Sequence, residues 1–403
     1  MKYVVILGDG MADRKIDILN NRTPLQVANK PMIDYLAQLG EVGLCKSVPD
    51  GMKPGSDVAN LSIMGYNPLD CYTGRSPLEA VSIGIELKDT DVSLRCNLVT
   101  LSNEEKLEDR TMIDYSAGEI TTEESTIIVN DLAKALNSDR FKLYSGISYR
   151  HCLIVENGST NQNLTPPHDI SGKKIMNYLP TGDFADEFIT LMKKAEEILK
   201  NHPINLKRIS EGKNPANSIW LWGAGTKPQL DNFEKKYGVK GAVISAVDLV
   251  KGIGILAGMK NIDVEGATGN IDTNFEGKAN AVISALKDGY DYVYLHMEAP
   301  DECGHHGDID GKILSIEKID MVVTYILTEL DKMGEDFSIL ITPDHPTPIE
   351  IKTHSSEEVP FLIYRSTPQI STSSSAYDED NAKNSGLYVK NGEELMKKFL
   401  TDY

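Results

Sequence analysis

Residues 291–308 read Asp291-Tyr292-Val293-Tyr294-Leu295-His296-Met297-Glu298-Ala299-Pro300-Asp301-Glu302-Cys303-Gly304-His305-His306-Gly307-Asp308. The apolar, aromatic-rich run 291–297 predicts a strand, and Pro300 stops it. Asp301 and His305 follow, four residues apart. On a helical turn that spacing sets carboxylate and imidazole on one face. Gly304 between them admits a close backbone approach. A carboxylate and an imidazole at the end of a buried strand make half of a hard-to-borderline metal site. In a polar loop the same pair is ordinarily just solvated, so the rest of the chain has to decide.

Working outward, the same grammar recurs. Tyr3–Leu7 predicts a core strand and runs straight into Gly8-Asp9-Gly10-Met11-Ala12-Asp13. Phe337–Thr342 predicts another, ending in Pro343-Asp344-His345-Pro346. His354 follows a turn and precedes a strand at Pro360–Tyr364. Asp9, Asp301 and Asp344 each stand just past an apolar strand, where open α/β sheets gather their ligands. Three Asp and three His without a thiolate suit a pair of divalent ions about 4 Å apart. The remaining histidines (His151, His168, His202, His296 and His306) lack that context and read as surface or structural residues, with His151 reconsidered below.

Pro54-Gly55-Ser56-Asp57-Val58-Ala59-Asn60-Leu61 opens a helix. Ser56 reads either as its N-cap or as a nucleophile, since backbone N–H groups at a helix start hold phosphate and a nearby metal activates a hydroxyl. Thr23–Leu39 has helical periodicity broken by Pro31, so one helix or two shorter pieces are open. From about residue 70 to about 220 the composition shifts. Strand-like runs at Val92–Thr100 and Cys152–Val155 alternate with helices at Glu123–Asn137 and Asp183–Asn201, and 157–182 is polar loop. Ser218–Trp222 and Gly241–Ser245 read as a return to core strands, followed by helices opening at Asp248, at Lys278–Leu286 and at Gly311–Leu330. The Ser-rich stretch 371–375 reads as a surface loop or mobile segment, and 391–401 as a terminal helix.

Composition bounds the function. The chain has 403 residues, 40% hydrophobic and 25% charged, the balance of a soluble globular protein large enough for two domains. A net charge of −19 argues against nucleic acid or an anionic membrane as partner. No apolar run reaches the length of a membrane span. The apolar run Val4–Leu7 is too short for a signal peptide, being cut by Gly8. Five scattered cysteines form no CxxC pair, so neither a disulfide framework nor a thiolate zinc site is indicated, and a reducing cytoplasm fits. An anionic substrate would then require basic residues gathered locally.

Taken together, GDGMAD (8–13), PGSDVANLSIMGY (54–66), GRSPLEA (74–80), RCNLVT (95–100), SYRH (148–151), ISAVDLVKGIG (244–254), EAPDECGHHGD (298–308) and TPDHPTP (342–348) resemble the cofactor-independent phosphoglycerate mutases, in their shorter archaeal-type branch within the alkaline phosphatase superfamily. The resemblance implies an α/β fold: an alkaline-phosphatase-like, mostly parallel sheet flanked by helices (1–70 and 220–403), with a smaller α+β domain inserted at 71–219 that closes over the site and excludes water. It implies that Ser56 is the phosphorylated nucleophile. Asp301, His305 and His354 would ligate one ion, and Asp9, Asp344 and His345, with Ser56, the other. Mn²⁺ is the first expectation, with Mg²⁺, Co²⁺ or Zn²⁺ as alternatives and no need of 2,3-bisphosphoglycerate. The implied reaction is interconversion of 3- and 2-phosphoglycerate, a step of glycolysis and gluconeogenesis. Ser56 takes the phosphoryl group in line, and the bound glycerate reorients and takes it back.

Arg75, Arg95 and Arg150 are the expected substrate-binding residues, because a guanidinium grips carboxylate or phosphate with two parallel hydrogen bonds. Lys251 is a further phosphate-binding candidate, and His151 a candidate acid or base on a glycerate hydroxyl. Each Arg reads equally as a surface ion-pair partner. Phosphotransfer to another alcohol, as in homoserine kinase-like relatives, uses the same Ser56 and metals and is the alternative. A plain phosphatase or a phosphopentomutase is a third option, and a metal-binding scaffold is the non-enzyme reading.

Overall fold

The computed structural model describes residues 1–368 and 370–401. The chain divides into two compact units, Met1–Tyr72 with Gln229–Tyr403, and Thr73–Pro228. In chain order the strands are β1 (Lys2–Gly8), β2 (Glu41–Cys45), β3 (Val92–Leu101), β4 (Met112–Asp114), β5 (Phe141–Tyr144), β6 (Arg150–Val155), β7 (Gln162–Asn163), β8 (Thr181–Gly182), β9 (Ser218–Thr226), β10 (Gly241–Ile244), β11 (Lys260–Asn261), β12 (Tyr292–Met297), β13 (Phe337–Thr342), β14 (Val359–Arg365) and β15 (Tyr388–Val389).

The first unit is built on a sheet of order β11-β10-β12-β1-β13-β14-β2-β15. Its strands are parallel except β14, which runs antiparallel to both β13 and β2. Every residue of β1, β12 and β13 is buried. That explains their unbroken apolar runs, because a parallel sheet is covered on both faces. Val4, Ile6, Ile339 and Ile341 pack with Ile316, Ile319, Val323 and Ile326 of the 25-residue helix Ile309–Met333. Each such side chain contributes about 1.5–3 kcal/mol on burial.

The register aligns Leu7 with both His296 and Thr342, so β1, β12 and β13 end at one level. The segments carrying Asp9, Asp301 and Asp344 leave the sheet there. The antiparallel sense of β14 brings its N-terminal end, and the loop holding His354, to the same rim.

Thr23–Leu39 resolves into two pieces, Pro24–Val27 and Pro31–Leu39. Thr23 caps the first in a reciprocal capping box with Gln26, and Pro31 starts the second at a first-turn position. β2 has no counterpart among the strands read from the sequence. It opens on Glu41, whose charge is buried by pairing with Arg365 (2.7 Å) and Lys398 (2.8 Å).

The second unit holds an antiparallel sheet in which β3 pairs with β4, β6 and β9, and β5 pairs with β6. Helices Thr122–Leu136 and Ala185–Leu199 supply Ile128, Leu132, Phe188 and Met192 to its core. Ser218–Trp222, read from the sequence as a return to core strands, lies in β9 and pairs along β3. Among the described residues no helix is long and apolar enough to cross a membrane.

Candidate metal centre and nucleophile

Asp301 and His305 lie on the helix Ala299–His306, in the one-face arrangement their spacing predicts. The Asp301 Oδ2 is 3.2 Å from His305 Nε2, and its Oδ1 is 3.5 Å from His354 Nε2. The two Nε2 atoms are 3.0 Å apart. His305 Nδ1 donates to the Lys352 carbonyl at 3.0 Å, which leaves Nε2 turned inward. Lys352 presents that carbonyl from a left-handed conformation, φ 52°, a mildly strained backbone serving a ligand-like ring.

Asp9, Asp344 and His345 form a second group, fully buried. His345 Nε2 is 3.6 Å from Asp9 Oδ1 and 3.4 Å from Asp344 Oδ2. Asp344 also accepts from the Gly10 N–H (3.2 Å), the His345 N–H (2.8 Å) and Asn60 Nδ2 (2.9 Å). The rings of His345 and His354 lie 4.1 Å apart, so the two groups adjoin.

Ser56 is not the cap of its helix. Gly55 takes that position in extended backbone without a side-chain cap bond, and Ser56 is the first helical residue. Its hydroxyl is therefore free for other work and stands 3.1 Å from His345 Nε2. Asn60, one turn on, binds the Ser56 carbonyl (2.8 Å) and Asp344 through Nδ2 and accepts from the Tyr294 hydroxyl at 2.7 Å.

The electrostatics of these groups call for a cation. Burial raises the Asp9 carboxyl well above the usual carboxylate range, and Asp344, Asp301 and Glu298 push it further. Among the described residues, Asp9 Oδ1 is buried without a hydrogen-bond partner. Burial also acts on Asp301, but hydrogen bonds from His305 and His354 outweigh it and hold that carboxyl well below its usual range. His305 is raised to about 9, chiefly by the Asp301 hydrogen bond. Burial lowers His345. Carboxylate oxygens and inward Nε2 atoms, with an orphaned oxygen among them, fit divalent ions of the hard-to-borderline class.

His296 belongs to this centre, although the sequence reading set it aside. Its Nε2 donates to Asp9 Oδ2 at 2.9 Å, and Nδ1 is 3.2 Å from Ser245 Oγ. Burial lowers its pKa to about 4, so the ring is neutral. The available signal was an imidazole inside an apolar strand, where burial demands a partner.

Lys251 Nζ pairs with Asp263 at 2.8 Å. In the second unit Arg95 grips Glu79 with Nε (2.8 Å) and Nη2 (2.9 Å) and stacks on Trp222 at 4.5 Å. Arg75 reaches the same Glu79 at 2.9 Å, and Arg150 is close enough to repel Arg95. These three cations are thus gathered locally despite the acidic whole. His151 differs from the three arginines in its setting. It pairs with Cys96, so it projects from the sheet face opposite Arg95 and Arg150. Its Nδ1 accepts from the Gly146 N–H at 3.0 Å, and burial drives its pKa to about 3. Among the described residues its Nε2 is buried with no hydrogen-bond partner.

A family model described as 2,3-bisphosphoglycerate-independent phosphoglycerate mutase matches residues 37–205. The chain is 51% identical over 398 residues to the 2,3-bisphosphoglycerate-independent phosphoglycerate mutase of Methanosarcina barkeri, covering 98% of each chain. It is 48% identical over 401 residues to a probable enzyme of that name from Geobacter sulfurreducens, covering 99% of this chain and 100% of the relative. Among solved structures it resembles a cofactor-independent phosphoglycerate mutase from Thermoplasma acidophilum, with TM-score 0.69, 25% identity and 99% of both chains covered. It also resembles a Pyrococcus horikoshii protein, with TM-score 0.84, 32% identity, and 99% of this chain and 97% of the other covered.

Proposed function

The chain belongs to the 2,3-bisphosphoglycerate-independent phosphoglycerate mutase family, and from that premise we propose that it interconverts 3-phosphoglycerate and 2-phosphoglycerate through a phosphoserine at Ser56. The observation that carries the proposal is the uncapped Ser56 hydroxyl, 3.1 Å from His345 at the rim where both ligand groups converge.

Ser56 Oγ forms the new bond to phosphorus as the bond to the glycerate oxygen breaks. The glycerate hydroxyl at the neighbouring carbon then reverses the transfer, freeing Ser56. Asn60 holds the Ser56 carbonyl and Asp344 together, so the nucleophile is oriented by its own helix. Asp301, His305 and His354 would hold one divalent ion, and Asp9, Asp344 and His345, beside Ser56, a second. When bound, such ions supply Lewis acidity, lowering the pKa of the serine hydroxyl and offsetting charge on the transferring oxygens. Mn²⁺ is the proposed ion, with Mg²⁺, Co²⁺ and Zn²⁺ as alternatives.

Arg75, Arg95 and Arg150 are proposed to hold the anionic substrate. Lys251 remains a phosphate-holding candidate, because its partner Asp263 is 73% exposed and such a surface pair is worth little. Five buried, unbridged cysteines support a cytoplasmic location.

The test is a phosphorus NMR time course on 3-phosphoglycerate with Mn²⁺ and without bisphosphoglycerate. Appearance of 2-phosphoglycerate, lost in Ser56→Ala, is expected. Release of inorganic phosphate alone would make the protein a hydrolase. An unchanged spectrum would overturn the mutase reading and bring forward phosphotransfer from ATP to homoserine.

A further inference from the structure

Thr347 lies three residues past Asp344 and is fully buried. Its hydroxyl touches both ligand groups. Thr347 Oγ1 hydrogen-bonds Asp301 Oδ1, a member of one group, and lies 3.3 Å from Nδ1 of His345, a member of the other.

The chemistry of the partners assigns the protons. An ionised carboxylate only accepts, so the Thr347 O–H donates to Asp301. The hydroxyl lone pairs are left to accept, and His345 Nδ1–H donates to them. His345 Nε2 is then unprotonated, and it is the nitrogen that faces Ser56 Oγ at 3.1 Å and the Asp9 and Asp344 carboxylates. One hydroxyl therefore orients a carboxylate in the first group and selects the tautomer of an imidazole in the second.

The surrounding chain is shaped to hold Thr347 there. Its carbonyl accepts from Lys312 Nζ at 2.8 Å, and its N–H donates to the Ala12 carbonyl at 3.3 Å. A Cβ on Gly10, which sits at φ +60°, would lie 2.5 Å from Thr347 Oγ1 and 2.7 Å from Asp301 Oδ1. A Cβ on Gly304 would lie 2.6 Å from the Thr347 carbonyl oxygen and 2.8 Å from its Cγ2. The glycines of two separate motifs, GDGMAD and DECGHHG, thus leave the space that this one side chain fills.

We infer that Thr347 is a positioning residue that makes the two ligand groups interdependent, by holding Asp301 and His345 in ligating orientation through a single hydroxyl. The inference rests on the two-ion reading of the site. Partners of this kind behind metal ligands are worth about 10–100-fold in affinity. Thr347 acts on two ligands, one from each group, so its removal weakens both ions together.

The experiment is Mn²⁺ titration of the metal-stripped protein, followed by electron paramagnetic resonance, for wild type, Thr347→Val and Thr347→Ser. Wild type is expected to bind two ions. Thr347→Val, which keeps shape and loses the hydroxyl, is expected to weaken both by about 10–100-fold, and Thr347→Ser to restore both. Two ions bound by wild type with unchanged affinities in Thr347→Val, or weakening of one ion alone, would overturn the inference and leave the two-ion reading intact. Failure of wild type to bind two ions would overturn that reading instead. If Thr347→Val does not fold, ¹⁵N shifts of the His345 ring in wild type decide, assigned by loss of the signal in His345→Gln. A protonated Nδ1 is expected, and a protonated Nε2 with bare Nδ1 refutes the assignment.

Discussion

Lys312→Met tests how the loop carrying Asp9 is anchored. Lys312 comes from the first turn of the helix Ile309–Met333, and its side chain is 0% exposed, against 1% for its partner Asp13. Its Nζ donates to Asp13 Oδ2 (2.7 Å), the Thr347 carbonyl (2.8 Å) and the Ala12 carbonyl (3.3 Å). Methionine preserves the stem's packing and removes the charge. Breaking a buried pair by deleting one partner costs about 3–5 kcal/mol. The low end applies here, because Asp13 still accepts from the Arg14 N–H at 2.7 Å and the Ile349 N–H at 3.2 Å.

Removing both charges, in Asp13→Asn with Lys312→Met, keeps those amide bonds and orphans the Thr347 carbonyl, at about 1–3 kcal/mol, while the Ala12 carbonyl keeps the Thr347 N–H. The double variant is therefore expected to be no less stable than Lys312→Met alone, far from additive. Both tryptophans, Trp220 and Trp222, lie in the second unit, so indole fluorescence does not report on this pair. Native-state amide exchange of β1 and β13 does, because those strands open with the first unit. A cost below about 1 kcal/mol for Lys312→Met, or singles and double adding within about 0.5 kcal/mol, would refute the buried-pair account.

Three further outcomes are expected. His296→Leu removes the donor to Asp9 Oδ2 and should weaken Mn²⁺ binding about 10–100-fold by calorimetric titration; unchanged affinity would return His296 to a purely packing role. His151→Asn keeps an acceptor for the Gly146 N–H, so turnover should not show the ~10²-fold or greater loss of a missing acid–base group; such a loss would reinstate His151 in the chemistry. Glu379 is raised from 4.5 to about 7 by burial, so its contribution to stability is fully present below pH 4.5 and is lost as pH rises through 7. A shift of that size corresponds to about 3 kcal/mol at most. Glu379→Gln should match wild type in urea midpoint near pH 4.5 and exceed it at pH 8, and a pH-independent difference would show that Glu379 is ionised throughout.

What the sequence by itself determined was local and periodic. The apolar runs of β1, β12 and β13 announce strands covered on both faces, because burial on both sides suppresses alternation. The Asp301–His305 spacing places two ligand-like atoms on one helical face before any tertiary contact exists. Pro31 divides a helix through its own covalent geometry.

Contacts distant in sequence decided the rest. Whether Ser56 caps a helix or stands free depends on Gly55 being extended and on His345, 289 residues away. His296 and His151 are both imidazoles in apolar strands. One meets Asp9 and the other a turn amide, and only the fold tells them apart. β2 escaped notice because its first residue is a charge, which Arg365 and Lys398 neutralise from the far end of the chain. Thr347 lies inside the TPDHPTP segment, but nothing in that segment names its partners. Its role exists only where β1, the helix after β12 and the loop after β13 meet, because a hydrogen bond is specified by atoms in space and a sequence orders them along a line.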